Sequence, residues 1–273
     1  MNAREAPAHV AEIEQELQGL ADPESAERLA RYFKTGPGEY GEGDRFLGIR
    51  VPVLRKLARK HASLGLPGCR ALLVSPYHEA RMLALLLLVQ AYDRGDEALR
   101  EAIYRLYLDH TACVNNWDLV DSSAECIVGP HLENREKTVL YDLTRSTSVW
   151  ERRIAIMATF CYVKAGSFDE TLRVADMLLQ DTHDLIHKAV GWMLREVGKR
   201  DRATAEAFLR PRYRRMPRTM LRYAIEKYPD ELRRRYLYRE PTPAAAPRAP
   251  SSEPDGPNRG SRASGDRRTR SRP

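Results

Sequence analysis

The chain has 273 residues, of which 42% are hydrophobic and 30% charged, so it can bury a sizeable core beneath a polar surface. The formal net charge is +7, but residues 241–273 alone hold seven Arg against three acids, so overall charge argues only weakly for nucleic acid. The longest apolar run, Leu83 to Val89, is far shorter than the roughly 20 residues of a transmembrane helix. The first twenty residues are polar and acidic, unlike a signal peptide, and we expect a cytoplasmic protein without a membrane partner.

Helical periodicity dominates the chain, and the alternating patterns of strands are nearly absent. Proline after a polar or extended residue marks several helix starts, at Asp22-Pro23, Val51-Pro52 and Ser75-Pro76. Helices are therefore predicted at 8–19, 24–34, 51–62, 67–74, 77–92, 95–109, 115–127, 133–144, 147–164, 168–180, 183–198, 201–211, 217–227 and 229–237.

Two segments share a layout, since 133–164 and 168–198 each read as a shorter helix, a brief turn and a longer helix. Such pairs cannot bury their apolar faces alone, so neighbouring pairs must cover them. The pattern predicts an all-α, HEAT-like helical-repeat solenoid (an α-α superhelix) with a concave basic groove, over residues 1–238. A plain helical bundle is the alternative.

One loop, residues 34–48, contains five Gly and one Pro yet is charged in its middle and apolar at its end. Glycine density permits close approach to another backbone. Two interpretations stand side by side: an ordered loop on a DNA-binding face, or a structural crossover that docks Phe46 and Leu47 into the core.

From 239 to 273 the composition changes to Pro, Ala, Ser, Gly and Arg without large apolar residues, which predicts a disordered basic tail. Its arginines either attract phosphate non-specifically or only keep the chain soluble. The four cysteines show no CxxC pair and lie in apolar helical stretches, as expected of small buried hydrophobes in a reducing compartment.

The stretch from Asn115 to Ser122 contains the first candidate site. Trp117 and Asp121 are four residues apart and share one helix face, whereas Leu119 and Val120 should point towards the core. An aromatic ring beside a carboxylate, outside the apolar stripe, indicates a site. Core packing is the alternative for Trp117, and Asp118 can serve merely as a first-turn acid that complements the helix dipole.

The second candidate is Trp150 with Arg153, three residues apart on one face. Trp150 can belong to the core, which leaves Arg153 at its edge. There Arg153 either grips a phosphate or pairs with Asp121, and a weak surface salt bridge is the bland alternative.

The third candidate surrounds Gly191, which costs about 1 kcal/mol relative to Ala inside a helix and so indicates close packing of a neighbouring helix or a ligand. Lys188 and Trp192 share a face there, with core packing as the alternative for Trp192. Basic residues follow, dense and with few acidic partners around 210–222, and can line a phosphate-tracking groove or be solvated helix faces. The predicted DNA contacts are Lys188, Arg195, Lys199, Arg212, Arg214, Arg215 and Arg218.

These motifs occur together in a known family. WDLVD, W-x-x-R and KAVGWMLRE, in this order on helical repeats, resemble the AlkD family of alkylpurine DNA glycosylases, which are HEAT-like solenoids. GEGDRFLGIRVPVLRKLARK is similar to the family's N-terminal signature, and the resemblance covers residues 8–237. It places the catalytic acid on Asp121, the two aromatics that line the lesion site on Trp117 and Trp192, and the motif arginine on Arg153. The glycine-rich loop is longer than in the better-known members, which leaves DNA docking and substrate range open.

The resemblance implies a bacterial, monofunctional DNA glycosylase that removes cationic N3- or N7-alkylated purines from duplex DNA without flipping the base, and that needs no metal or cofactor. We expect a cytoplasmic monomer, associated with the nucleoid while on DNA, whose partner is double-stranded DNA and which has no obligate protein partner. Two other functions use the same fold: a non-catalytic solenoid that binds distorted or branched DNA, and a protein-interaction scaffold.

Overall fold

A computed structural model describes residues 5–238, with side chains from residue 7 onward, so the predicted tail at 239–273 lies outside the described residues. Within this range every regular element is a helix. The described residues contain no strand, only an isolated β-bridge between Arg45 and Tyr77. A short 3-10 turn spans Thr111–Cys113. The α-helices are α1 (Glu5–Gly19), α2 (Pro23–Tyr32), α3 (Val51–Lys60), α4 (Leu66–Leu73), α5 (His78–Arg94), α6 (Glu97–Asp109), α7 (Trp117–Asp121), α8 (Val128–Leu132), α9 (Thr138–Thr144), α10 (Val149–Ala158), α11 (Phe160–Lys164), α12 (Asp169–Met177), α13 (Asp184–Arg200), α14 (Arg202–Leu209), α15 (Arg218–Ala224) and α16 (Asp230–Tyr238).

The helices pack in two layers. In the first layer, α3, α5, α7, α10, α13 and α15 each contact the next, and helices of the second layer, such as α4, α9, α12 and α14, pack against them. One continuous cluster of buried side chains runs from Val10 to Tyr236 between the layers. Each pair thus covers the apolar face of its neighbour, which is the packing of a helical-repeat solenoid and confirms the predicted fold class.

Several helices begin where capping residues and prolines in the sequence predict. Asp22 caps α2 by accepting hydrogen bonds from the backbone N–H groups of Glu24 and Ser25, and proline occupies the first turn. A capping side chain satisfies amide groups that would otherwise have no partner at a helix start. The first layer therefore has defined entry points at positions that the sequence already marks.

The predicted helix at 115–127 is wrong in its extent, because α7 ends at Asp121 and α8 forms separately. The hydroxyls of Ser122 and Ser123 donate to the carbonyls of Asp118 and Leu119, at 2.6 and 2.5 Å. Hydroxyl groups compete for helix carbonyls in this way and favour turns. The predicted helix at 147–164 is likewise interrupted at Thr159, whose hydroxyl donates to the carbonyl of Ile156 at 2.7 Å.

The two similar segments form matching pairs, α9 with α10 and α12 with α13, in which the longer helix lies in the first layer. Gly191, on α13, lies against α15, and a Cβ there would come within 2.5 Å of the Met220 carbonyl oxygen. Of the two explanations for this glycine, the structure has the close packing of a neighbouring helix. Within the described residues, no helix is long and apolar enough to cross a membrane.

Candidate active site

Asp121 and Arg153 form an ion pair between two first-layer helices. The Nε–H and Nη2–H groups of Arg153, on α10, each donate to one carboxylate oxygen of Asp121, on α7, at 2.8 Å. Nη1–H donates to the carbonyl oxygen of Leu185 at 2.7 Å, at the start of α13. Arg153 therefore joins α7, α10 and α13, which follow one another in the first layer. Its two parallel hydrogen bonds fix the orientation of the Asp121 carboxylate.

The pair differs in exposure, since the side chain of Asp121 is 18% exposed and that of Arg153 only 6%. Leu119 and Val120 are fully buried, as predicted, so the opposite side of α7 carries the accessible carboxylate. Burial raises the pKa of Asp121, and the adjacent Arg153 guanidinium opposes that rise. Of the alternatives for Arg153, the structure has the pairing with Asp121, and its burial leaves little surface for a phosphate.

Trp117 belongs to a stack of aromatic rings. Its indole lies on Phe33 with ring centroids 5.1 Å apart, Phe33 lies on Phe46 at 5.0 Å, and Phe46 lies on the imidazole of His78 at 4.5 Å. Tyr32 meets the same indole edge-on at 6.0 Å. Trp117 is half-buried, so it both packs against the core, as one interpretation required, and keeps part of its surface accessible.

The other two tryptophans are held by different elements. Trp150 is buried, at 8% exposure, as its place in the apolar stripe predicts. Trp192 is half-buried on α13, where its ring lies 5.8 Å from that of Phe160. The packing of Trp192 is thus independent of the stack that holds Trp117.

A buried polar network ties the glycine-rich loop to the start of α7. His78 donates from Nδ1 to Asp44 at 2.8 Å and from Nε2 to Asp118 at 2.9 Å. The other oxygen of Asp44 accepts from Arg81 at 2.5 Å, and Asn116, the N-cap of α7, donates to Asp44 at 3.3 Å. Asp118 is therefore more than a first-turn acid, because it fixes the helix that presents Trp117 and Asp121.

The polar network pairs the cations of His78 and Arg81 with the carboxylates of Asp44 and Asp118. Burial disfavours a charged imidazole, but the carboxylates of Asp118 and Asp44 outweigh it and raise the pKa of His78 to about 9. Burial also opposes ionisation of Asp44, yet the hydrogen bonds and charges of His78 and Arg81 hold its pKa below the ordinary value. At neutral pH the network therefore contains a cationic imidazole between two carboxylates.

The glycine-rich loop at 34–48 is docked at its apolar end. The carboxylate of Glu79 accepts from the backbone N–H groups of Leu47, Gly48 and Ile49, at 2.8, 2.8 and 3.1 Å. Leu47 enters the core, as the crossover interpretation predicts, while Phe46 stays half-buried in the aromatic stack. Sequence reasoning did not identify Phe33, His78 or Glu79, whose partners lie tens of residues away along the chain.

A cavity of about 460 Å³ lies beside the aromatic stack, between α2, α3, α5 and α7. Tyr32, Phe46, Met82, Trp117 and Asp118 are among its lining residues. The accessible part of Trp117 thus faces a largely apolar recess. Among the described residues, no group of three or more His, Cys, Asp or Glu side chains is arranged to hold a metal ion.

Most of the predicted DNA contacts have carboxylate partners. Lys188 pairs with Asp184 at 2.7 Å, Lys199 with Glu196 at 2.6 Å and Arg212 with Asp176 at 2.7 Å, and Arg195 pairs with Glu226. Within 210–222, Arg210 also pairs with Glu206, so ion pairs join two of the six arginines there, Arg210 and Arg212, to acidic partners. Lys188, Lys199 and Arg210 pair with acids three or four residues away on the same helix, whereas the partners of Arg195 and Arg212 lie more than 30 residues away along the chain.

Three more of the predicted contacts, Arg214, Arg215 and Arg218, are exposed. Arg214 donates to the hydroxyl of Tyr213 at 3.1 Å, and Arg218 donates to the carbonyl oxygen of Leu237 at 2.9 Å. Their side chains reach solvent next to α14 and α15.

Two features define the class of protein: a helical-repeat solenoid, and a helix, α7, that carries both the paired Asp121 carboxylate and the stacked Trp117 indole. The family model described as DNA alkylation repair enzyme matches residues 13–228, and the chain belongs to this family. The resemblance to AlkD-type proteins is thereby confirmed at the level of the family. No curated protein matches the chain.

Solved structures share the fold. A predicted DNA alkylation repair enzyme from Enterococcus faecalis is similar with a TM-score of 0.61 and 18% identity, over 77% of this chain and 97% of that one. AlkD2 from Streptococcus mutans is similar with a TM-score of 0.50 and 17% identity, over 82% of this chain and 99% of that one. At such identities the likeness concerns the arrangement of helices.

Proposed function

We propose that this protein is a monofunctional DNA glycosylase, which hydrolyses the N-glycosidic bond of cationic N3- or N7-alkylated purines in duplex DNA without flipping the base. The proposal rests on one observation above the others, the partly exposed Asp121 carboxylate held by the buried Arg153. Membership of the DNA alkylation repair family supports DNA as the substrate.

Bond cleavage needs negative charge at the sugar. As the C1′–N bond breaks, its electron pair leaves with the base, which departs neutral, and positive charge develops on the sugar ring. A fixed carboxylate beside C1′ stabilises that charge without reorganising during the reaction. Arg153 occupies two of the roughly four acceptor positions of the Asp121 carboxylate, which leaves others for substrate or water.

Water completes the reaction. Asp121 accepts a hydrogen bond from a water molecule, the water oxygen bonds to C1′, and its proton passes to the carboxylate and then to solvent. The products are the free alkylated purine and an abasic site. Arg153 is a positioning residue in this scheme, because it holds Asp121 and has little accessible surface of its own.

The two half-buried indoles, Trp117 and Trp192, are proposed to contact the lesion. Electron-rich ring faces attract a cationic base and sugar. Phe33 covers one face of the Trp117 indole, so the lesion would meet the opposite face. Phosphates would be held by the basic residues of α13 to α15, namely Lys188, Arg195, Lys199, Arg212, Arg214, Arg215 and Arg218.

The test compares wild type with Asp121→Asn for release of 7-methylguanine and 3-methyladenine from methylated duplex DNA. The amide keeps the shape of the side chain and removes its charge, so we expect release to fall about 100-fold or more with DNA affinity retained. Asp142→Asn is the matched control, since Asp142 also pairs with an arginine, Arg145 at 3.2 Å, but on the second-layer helix α9. It should release base at the wild-type rate.

The same comparison separates the other functions. Equal behaviour of wild type and Asp121→Asn, without base release but with affinity for distorted or branched DNA, would contradict the enzyme and indicate a DNA-binding solenoid. A chain with no salt-dependent DNA affinity at all would instead be a protein-interaction scaffold.

A further inference from the structure

The first helix of the first layer, α3, carries cations that the protein does not neutralise. Residues 45–78 contain five Arg and two Lys but no Asp or Glu. Four of these cations are exposed at the start of α3 or along it, and together they form what we call the α3 face: Arg50, Arg55, Lys56 and Arg59. The described residues offer these four side chains no hydrogen-bond or ion-pair partner, whereas Lys60, at the end of the helix, pairs with Glu16 at 2.8 Å.

Helical spacing places three of these cations in one stripe with the exposed Pro52. Positions 52, 55, 56 and 59 are three or four residues apart and share one side of the helix, while Leu54, Leu57 and Ala58 are buried on the other. From 52 to 59 the helix rises about 10 Å. One DNA strand presents about three phosphates over that length of the duplex axis. The stripe therefore matches a short run of DNA backbone.

The stripe begins at the cavity beside the aromatic stack, since Arg50 and Pro52 line that cavity together with Trp117. In the packing order of the first layer, α7 lies between α5 and α10, with α3 at one end and α13 and α15 at the other. The candidate site on α7 thus lies between the α3 face and the basic region at 195–222.

Cations without an internal partner can bind phosphate without first giving up a carboxylate. In the basic region, Arg195 and Arg212 would have to release Glu226 and Asp176. Arg153, for which a phosphate contact was one expectation, is buried against Asp121. The arginines of the α3 face need no such exchange, and guanidinium groups bind phosphate oxygens in pairs.

We propose that the α3 face is a phosphate-binding surface for duplex DNA, which holds the backbone on the side of the lesion opposite the basic region at 195–222. The proposal rests on the proposed function for DNA as the ligand, and charge complementarity supports it. Arg50 contacts the phosphate nearest Trp117, and the stripe from Arg55 to Arg59 follows the strand away from the site. Contacts at both ends of the first layer then hold the duplex across Asp121.

The test replaces Arg55, Lys56 and Arg59 together by Gln and measures the Kd for an undamaged duplex. Three lost phosphate contacts should lower the slope of log Kd against log salt by about 2.7, so between about 50 and 200 mM salt wild type should lose about 40-fold more affinity than the variant. The matched control should keep the wild-type slope, and it replaces three exposed arginines in or next to second-layer helices, Arg70, Arg145 and Arg173.

A second variant separates charge from shape. Arg55→Lys combined with Arg59→Lys keeps both charges and should keep the wild-type slope, because the release of counterions depends on the number of charges neutralised. Thermal unfolding of the Gln variant within a few degrees of wild type shows that the fold is intact, as expected for exposed side chains outside the core.

Three results would overturn this surface. One is an unchanged slope in the Gln variant, and another is an equal change in the control, which would show a general effect of net charge. The third is an unchanged duplex affinity with loss of binding to vesicles of anionic lipid, which would indicate a membrane contact instead. Undamaged duplex keeps the test separate from catalysis. A wild type with the expected slopes that releases no 7-methylguanine would contradict the glycosylase and leave the α3 face as a DNA contact.

Discussion

The ion pairs around the candidate site differ in kind from those of the basic region at 195–222. Asp44, His78 and Arg153 are almost fully enclosed, and each makes several directed hydrogen bonds. In the basic region, by contrast, the side chains of Arg212 and Asp176 are 26% and 47% exposed. A buried pair holds geometry and is costly to break, whereas an exposed pair contributes little and can exchange its carboxylate for a DNA phosphate.

Breaking one pair of each kind tests this contrast most strongly. Asp44→Ala leaves the Arg81 and His78 cations without their carboxylate in a buried position, so the free energy of unfolding should fall by about 3–5 kcal/mol. Asp176→Ala, the exposed counterpart, should lower it by about 0–1 kcal/mol. Urea denaturation measures both, and comparable losses in the two variants would contradict the distinction.

The second largest effect is a pH dependence of stability. The pKa of His78 is raised from 6.5 to about 9 in the folded protein, so its contribution is fully present below pH 6.5 and is lost as the pH rises through about 9. The difference corresponds to about 3 kcal/mol over that window. Denaturation of wild type and His78→Gln across pH 6–10 measures this contribution of His78 to stability, because only wild type should lose it as the pH rises. Parallel profiles would show that His78 does not carry this charge.

On the acid side Asp44 should act in the opposite direction. Its folded pKa is lowered, so its contribution is present above the ordinary value of 3.8 and is lost as the pH falls below that value. Both contributions are fully present between about pH 3.8 and pH 6.5, so the buried network should stabilise the fold most in that range.

The smallest expected effect concerns the exposed basic region. Replacing Arg214, Arg215 and Arg218 together by Gln should lower the slope of log Kd against log salt by about 2–3, since each phosphate contact contributes about 0.9. The loss should be equal for damaged and undamaged duplexes, and base release at saturating protein should not change. The matched control is the triple replacement of Arg94, Arg105 and Arg145, which lie outside both regions, and an equal change in slope there would contradict the assignment.

Several features of this protein could be predicted from the sequence of a single helix. The burial of Leu119 and Val120, the cap at Asp22 and the close packing at Gly191 follow from spacing of a few residues or from a single unfavourable residue. The break after Asp121 was missed because serine hydroxyls compete with backbone amides for the same carbonyls, and periodicity does not report that competition.

The contacts of the loop at 34–48 could not be predicted from local sequence. Its glycine content indicated close approach, but neither the ring contact of Tyr40 with Trp150 nor the pairing of Asp44 with His78 has a local signal. These partners are separated by 34 residues in the case of Asp44 and His78. The crossover interpretation is confirmed for Leu47, which is buried, whereas Phe46 lines the cavity beside Trp117. The interpretation as a DNA-binding face stays a prediction.

By itself the sequence determined the all-helical repeat fold and the residues of the Asp121, Arg153 and Trp117 motifs, because apolar periodicity and motif spacing act over one or two helical turns. Only the tertiary structure decided that Arg153 pairs with Asp121, that Trp117 joins an aromatic stack and that many basic side chains face carboxylates. The physical reason is that the strength of an ion pair depends on distance and burial, and packing of distant segments sets both.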